Sequence, residues 1–214
     1  MKKLLLLSLG LFASSVQAVD LEYKGFYQRL TLIEENNLDK ITIGFYLVDS
    51  YTRERCPLTG AKMLKRDGSK DPIDIAADGQ LMVPLSQQYY DEFALLRVEQ
   101  SDDRQNCILQ MQMQARDKQQ TEFSYQQLAT ITWQLQELVD EFGGFLSFMM
   151  PDVQGLHIQL QNQQDVAYIA SDLKQQLSCE QDKCQLLMKQ NDEREQTAIR
   201  FAKPPVVISP WIED

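Results

Sequence analysis

An α+β fold follows from the order of hydrophobic patterns along the chain. A β-rich amino-terminal part comes first, an antiparallel sandwich or curved sheet with one helix. A long helix packed on a carboxy-terminal antiparallel sheet follows it. Two patterns carry this reading. Short alternating runs of apolar and polar residues, with turn signals every ten residues or so, fill residues 41–114 and 156–208, and such alternation marks half-buried strands. Between them Leu128, Ile131, Leu135, Leu138, Phe142, Phe145, Leu146 and Met149 recur at three and four, the period of a helix with one apolar face. The composition allows a core of this kind, because 43% of the 214 residues are hydrophobic and 24% charged, which is globular and not disordered.

Residues 1–18 are expected to be removed before folding. Lys2 and Lys3 precede a short apolar run at 4–13, and small residues lead to a cleavage site after Ala18. That is the layout of a secretory signal peptide, and the run is about half the roughly 20 residues a membrane anchor needs. No cysteine follows the cut, so lipid attachment of the lipoprotein type is not expected, and no later segment approaches membrane-spanning length. Loss of the two lysines takes the net charge from -10 to -12. So acidic a chain is a poor partner for a phosphate backbone or for anionic lipid. Its longest basic neighbourhood, Lys62, Lys65, Arg66 and Lys70, reads as a solvated hairpin edge.

The elements follow in order. Tyr23, Phe26, Tyr27, Leu30 and Ile33 are spaced for a helix over 23–35 that Asn36 and Asn37 end. Residues 41–48 alternate as a strand buried on at least one face. Asp67-Gly68 and Asp78-Gly79 are hairpin turns, since Gly accepts φ > 0; they separate strands at 61–66, 72–76 and 80–85. Strands at 93–99 and 107–114 complete the first part, which spans 19–115. The polar, unpatterned stretch 115–122 is the boundary. The second part, 123–214, opens with Ser124 as the N-cap of the long helix. Gln127, Gln134, Gln136, Glu137 and Asp140 form the helix's polar outer face in its first half, and Pro151 stops it. Strands are expected at 156–160, 166–171, 174–179, 184–189, 197–202 and 206–208, with 166–177 also suited to a short helix. The 27 glutamines are dispersed, so they read as neutral surface residues and not as a prion-like tract.

Four cysteines remain after the cut: Cys56, Cys107, Cys179 and Cys184. An even number in an oxidising compartment predicts two disulfides, with three connectivities possible. Cys179 and Cys184 bracket the polar loop 180–183, so two strands joined there would bring their sulfurs together, leaving Cys56 to pair with Cys107. A zinc site would need four convergent ligands, yet there is no C-x-x-C pair and one histidine. A redox-active pair would favour C-x-x-C at a helix start.

Signatures of familiar chemistry do not turn up. His157, between Leu156 and Ile158, reads as a side chain on a strand surface; any Ser-His-Asp site would have to use it. There is no Gly-x-Ser-x-Gly elbow, H-E-x-x-H, P-loop or Rossmann fingerprint. Asp67, Asp71, Asp74 and Asp78 are spaced 4, 3 and 4 apart, which does not fit an EF-hand loop and suits turns better. The pairs Asp140-Glu141 and Glu34-Glu35 could serve a glycosidase, but nothing selects either. No catalytic residue, metal ligand or cofactor is therefore expected. The most distinctive stretch is 142–150, where Phe142, Phe145, Phe148, Met149 and Met150 make the chain apolar all round. Such a segment is either the centre of a core or an adaptable binding surface.

Gly25-Phe26-Tyr27 with Arg29-Leu30, Gly44-Phe45-Tyr46, Phe148-Met149-Met150-Pro151-Asp152 and the closing Ile208-Ser209-Pro210-Trp211-Ile212 resemble a family of secreted proteins of Gram-negative bacteria, catalogued as a domain of unknown function. The resemblance implies a soluble envelope location and no particular activity. The reading is thus a non-catalytic periplasmic protein that binds a partner protein or ligand of the envelope. The alternatives are a carboxylate-based hydrolase of an envelope polymer and a carrier holding an apolar ligand between the long helix and its sheet.

Overall fold

The computed structural model describes residues 17–101 and 106–212; the expected leader falls almost wholly outside them. The fold is α+β, with antiparallel sheets throughout. Strand β1 (Gln17–Glu22) runs directly into helix α1 (Tyr23–Glu35). Tyr23, Phe26 and Ile33 face inward, as the spacing predicts. Asn37 takes the left-handed conformation (φ 54°) just past the helix. The N–H of Leu38 donates to Ile33 and that of Asn37 to Glu34, the paired bonds of a Schellman cap. Asn tolerates that conformation because its short side chain adds little strain there.

Strand β2 (Ile41–Asp49) pairs with β6 (Cys107–Ala115) over nine positions, from Ile41 opposite Ala115 to Asp49 opposite Cys107. Residues 43–48 are buried without a break, so β2 is covered on both faces. Phe26 of α1 meets Phe45 edge-on at 4.8 Å on one of them. The second sheet of this part has the order β1-β5-β3-β4, with β3 at Leu58–Leu64, β4 at Lys70–Pro72 and β5 at Leu95–Gln100. Along β5, Leu96, Val98 and Gln100 point in. Arg97 points out onto its cross-strand partner Asp20, and Glu99 pairs with Lys62.

Both Asp-Gly turns are present, with φ of 85° at Gly68 and 82° at Gly79, and Asp67 accepts the N–H of Ser69 at 2.8 Å. The strands expected at 72–76 and 80–85 shrink to β4 and two isolated bridges at Leu81. Pro72 and Pro84 lack the N–H that a ladder requires. A short helix not foreseen, α2 (Gln87–Asp91), follows the cap Ser86, and Tyr23 reaches past it to donate its hydroxyl to the Pro84 carbonyl at 2.6 Å.

Residues 116–121 join the two parts but do not hang free. Lys118 donates to Gln80 at 2.6 Å and pairs with Asp78. Gln80 also accepts from the buried Gln114, and Gln114 accepts the hydroxyl of the buried Tyr46 at 3.0 Å. Beyond the loop, β7 (Glu122–Ser124), β12 (Thr197–Phe201) and β9 (Val166–Ile169) form a three-stranded sheet. The largest carboxy-terminal sheet has the order β10-β11-β8-β13, from Leu177–Glu180, Lys183–Leu187, Val153–Gln159 and Val207–Ile212. In the stretch 166–177 the strand reading holds for 166–169, and a turn carries the chain to β10.

Helix α3 (Tyr125–Gly143) opens with a full capping box, Ser124 bonding the N–H of Gln127 and Gln127 reaching back to Ser124. Its stripe of Leu128, Ile131, Leu135 and Leu138 is buried. The helix lies against β7, β8 and β13 and also against α1, β2 and β6. Buried residues of both parts accordingly form one hydrophobic cluster. Two sequence expectations for this helix need correction. It stops at Gly143, well short of Pro151, because Gly144 turns to φ 53° and breaks the hydrogen-bond ladder. Gln134 is not on an outer face: it is 3% exposed. Its amide nitrogen donates to Asp39 at 2.9 Å and its oxygen accepts the N–H of Lys40 at 2.8 Å. Removing it strands a backbone donor that folding has taken from water. Gln134→Ala is therefore expected to lower the unfolding free energy by about 1–3 kcal/mol. Urea unfolding of this variant beside Gln126→Ala, whose side chain is exposed, measures the difference; equal midpoints would contradict the buried bridge.

Both expected disulfides are formed, Cys56–Cys107 and Cys179–Cys184, and no described cysteine is left over. Cys179 and Cys184 are direct cross-strand partners on β10 and β11. The loop between these strands is only Gln181-Asp182, since Glu180 and Lys183 pair with each other.

Candidate functional site

The end of α3 positions the most unusual surface of the protein. A Cβ on Gly143 would collide with the side chain of Met150, so the absent side chain lets the chain fold back there. Gly144 supplies the positive φ, a 3-10 turn runs over Gly144–Met149, and the N–H of Met150 closes it on Ser147 at 2.8 Å. The return is held by Gln136, whose side-chain oxygen accepts the N–H of Val153 at 2.6 Å. What this anchored turn carries is apolar. Phe145 is 94% exposed, Phe148 78% and Met149 70%, with Leu146 and Phe142 also in water. Of the five residues singled out from the sequence, only Met150 is half-buried. The reading of 142–150 as the centre of a core is thus corrected: the segment runs on past the end of the helix and leaves its large side chains in water. Each large side chain left in water forgoes about 1.5–3 kcal/mol of burial, and contiguous exposed apolar surface is where proteins meet partners.

His157 lies on the surface of β8, as expected for a strand residue. Partial burial lowers its pKa, which favours the neutral imidazole. Ser209 is its cross-strand partner on β13. No hydrogen bond from a described residue reaches the ring, so neither a nucleophile nor an orienting carboxylate is in place. The aspartates at 67, 71, 74 and 78 do not converge. Asp71 accepts the Tyr89 hydroxyl at 2.7 Å and pairs with Lys65, while Asp78 serves Lys118. Among the described residues no cluster of three His, Cys, Asp or Glu could hold a metal.

A cleft of about 570 Å³ lies beside α1 and is walled by Leu30, Ile33, Leu38, Val83, Glu34 and Asp39. Hydrogen bonds from Lys40 and then Gln134 hold Asp39 below its ordinary pKa. Every described carboxyl with a shifted pKa is shifted down. A general acid of the glycosidase type needs the opposite shift. The space between α3 and its sheet, where an apolar ligand was envisaged, is filled by Leu128, Leu135, Leu138, Leu156 and Leu186.

A family described as protein of unknown function (DUF2987) matches residues 15–160. The chain belongs to this family. The DUF2987 match takes in α1, β2, all of α3 and the exposed apolar turn, and it ends just past β8. Strands β9 to β13 lie beyond it, although β11 and β13 flank β8 in one sheet, and so does the closing motif 208–212. No curated protein matches this DUF2987 chain, and no solved structure does.

Proposed function

We propose that this DUF2987 protein is a non-catalytic, secreted protein of the Gram-negative envelope that binds a partner protein or ligand, and that the turn at 142–149 is its docking surface. The observation that carries the reading is the exposure of Phe145, Phe148 and Met149 on a backbone held in place by Gly143, Gly144 and Gln136. A strained or unfolded segment would not need such anchoring. The sequence pattern of residues 1–18, read as a leader cut after Ala18, supports export to the periplasm. Two disulfides agree with an oxidising compartment, and no described helix is long and apolar enough to cross a membrane.

Phe145→Ser with Phe148→Ser tests the docking surface. Both rings already lie in water, so the melting transition is expected to stay within about 0.5 kcal/mol of the parent. A photoreactive residue at Leu146 should crosslink a defined species in the native envelope. That species should be lost from the double serine variant and its affinity reduced at least about tenfold. Undiminished crosslinking by the variant would reject this surface. So would a large loss of stability, which would mean that the rings are covered.

A further inference from the structure

The carboxy-terminal sheet has a second face whose chemistry differs from that of the apolar turn. Its register sorts the side chains into rows. Ser178, Gln185, His157 and Ser209 are successive cross-strand partners across β10, β11, β8 and β13. In the next row Glu180, Lys183 and Gln159 are partners in the same way. Strand alternation sends the intervening residues, among them Leu186, Leu156, Cys184 and Ile158, to the opposite face, where they join the core. The outward face therefore carries rows of hydrogen-bonding groups, bordered by Val207 beside Gln159 and by the row of Leu187, Gly155 and Trp211, and its central row carries no carboxylate, ammonium or guanidinium. Trp211 lies on it as well, its ring 6.3 Å from the imidazole of His157.

The face is not flat. His157 walls two clefts. One of about 530 Å³ includes Ser178, Gln185, Lys183 and Glu180. A smaller one of about 170 Å³ includes Ser209, Gln159 and Gln112, the last contributed by β6 of the other part. The larger is within the usual size of small-molecule sites.

We propose that this outward face binds a neutral oligosaccharide. The groups are of the required kind. A glutamine amide offers donors and acceptors side by side, a serine hydroxyl offers both, and a neutral imidazole one of each, which is what the paired donor and acceptor of a sugar hydroxyl needs. The indole supplies an apolar surface with a polar edge, suited to the C–H face of a pyranose. The strand spacing of about 4.8 Å repeats these groups at close to the length of one sugar unit along a chain lying across the strands. Charge separates this ligand class from others. Lys183 and Glu180 face each other, Asp182 accepts from Gln159 at 2.7 Å and the chain carries -10 overall, so an anionic polymer finds no complementary field here, and the central row offers a basic peptide no carboxylate. This site is independent of the apolar turn, and its test does not rest on that reading.

His157 is the sole histidine, so its imidazole proton gives a single resonance in untagged protein. Trp211 becomes the sole tryptophan in a Trp133→Phe background. Maltohexaose, cellohexaose and chitohexaose are to be titrated separately to millimolar concentration. At least one is expected to shift the His157 resonance and change Trp211 fluorescence along one saturable curve. His157→Ala and Gln185→Ala should each weaken that binding at least about tenfold, with melting curves unchanged, and raising the salt concentration should leave it intact. Silence of both reporters for all three sugars overturns the proposal. So does binding that both variants leave unchanged, or binding that salt abolishes, the mark of a charged ligand.

Discussion

Leu135→Ala is expected to lower the unfolding free energy by about 2–5 kcal/mol and the melting temperature by roughly 5–15 °C. Leu135 is fully buried at the middle of the α3 stripe, and α3 packs on β7, β8 and β13 and also on α1, β2 and β6. Truncation removes the transfer free energy of three carbons and leaves a cavity in the cluster that both parts share. Because both parts share that cluster, the loss should appear as a single cooperative transition at lower temperature, not as the early melting of one half. A helix face open to water would respond differently: Leu135→Ala would then match an exposed control such as Gln126→Ala, within about 0.5 kcal/mol. Thermal unfolding of the two variants decides the matter, and indistinguishable curves would remove α3 from the core.

That stripe was legible because helical period survives any tertiary context. The same rule misplaced its continuation. Residues 142–150 are apolar all round, and period cannot say whether another element arrives to cover them. The local signal was the pair Gly143-Gly144, which ends the ladder and turns the following residues away from the stripe. Gln134 failed for a related reason: its polarity suggests water, but its partners Asp39 and Lys40 lie 95 and 94 positions away, and sequence spacing carries no trace of them. Helix α2 is too short for its period to register. The polar face around His157 was invisible in another way. Each of its members is an ordinary strand residue, and only the register brings positions 157, 178, 185 and 209 into one row. The hairpin disulfide was readable because its two cysteines are neighbours in the chain, and the longer one followed by elimination.

Cys56→Ala combined with Cys107→Ala is expected to destabilise the protein by roughly 4 kcal/mol, about twice the loss from Cys179→Ala with Cys184→Ala. The difference comes from the unfolded chain. Cys56 and Cys107 are 51 positions apart, and the loop they close holds β3, β4, α2 and β5; Cys179 and Cys184 are 5 apart. Loop-closure entropy grows with the logarithm of loop length, so the longer bridge denies the unfolded state more conformations. The native side adds little to the contrast, because Cys56 and Cys184 are both buried and each pair of substitutions removes the same atoms. The long bridge also holds the residues after β2 against the start of β6, where the N–H of Cys56 donates to Leu47 at 2.9 Å. Without it, the unfolded state expands, so the denaturant slope should rise as the midpoint falls. Guanidinium unfolding of the two double variants beside the parent gives both quantities. Peptide mapping without reduction should first show Cys56 linked to Cys107 in the parent. Equal midpoints for the two variants, or a larger loss from the hairpin pair, would mean that native packing and not the unfolded chain sets the strength of these staples.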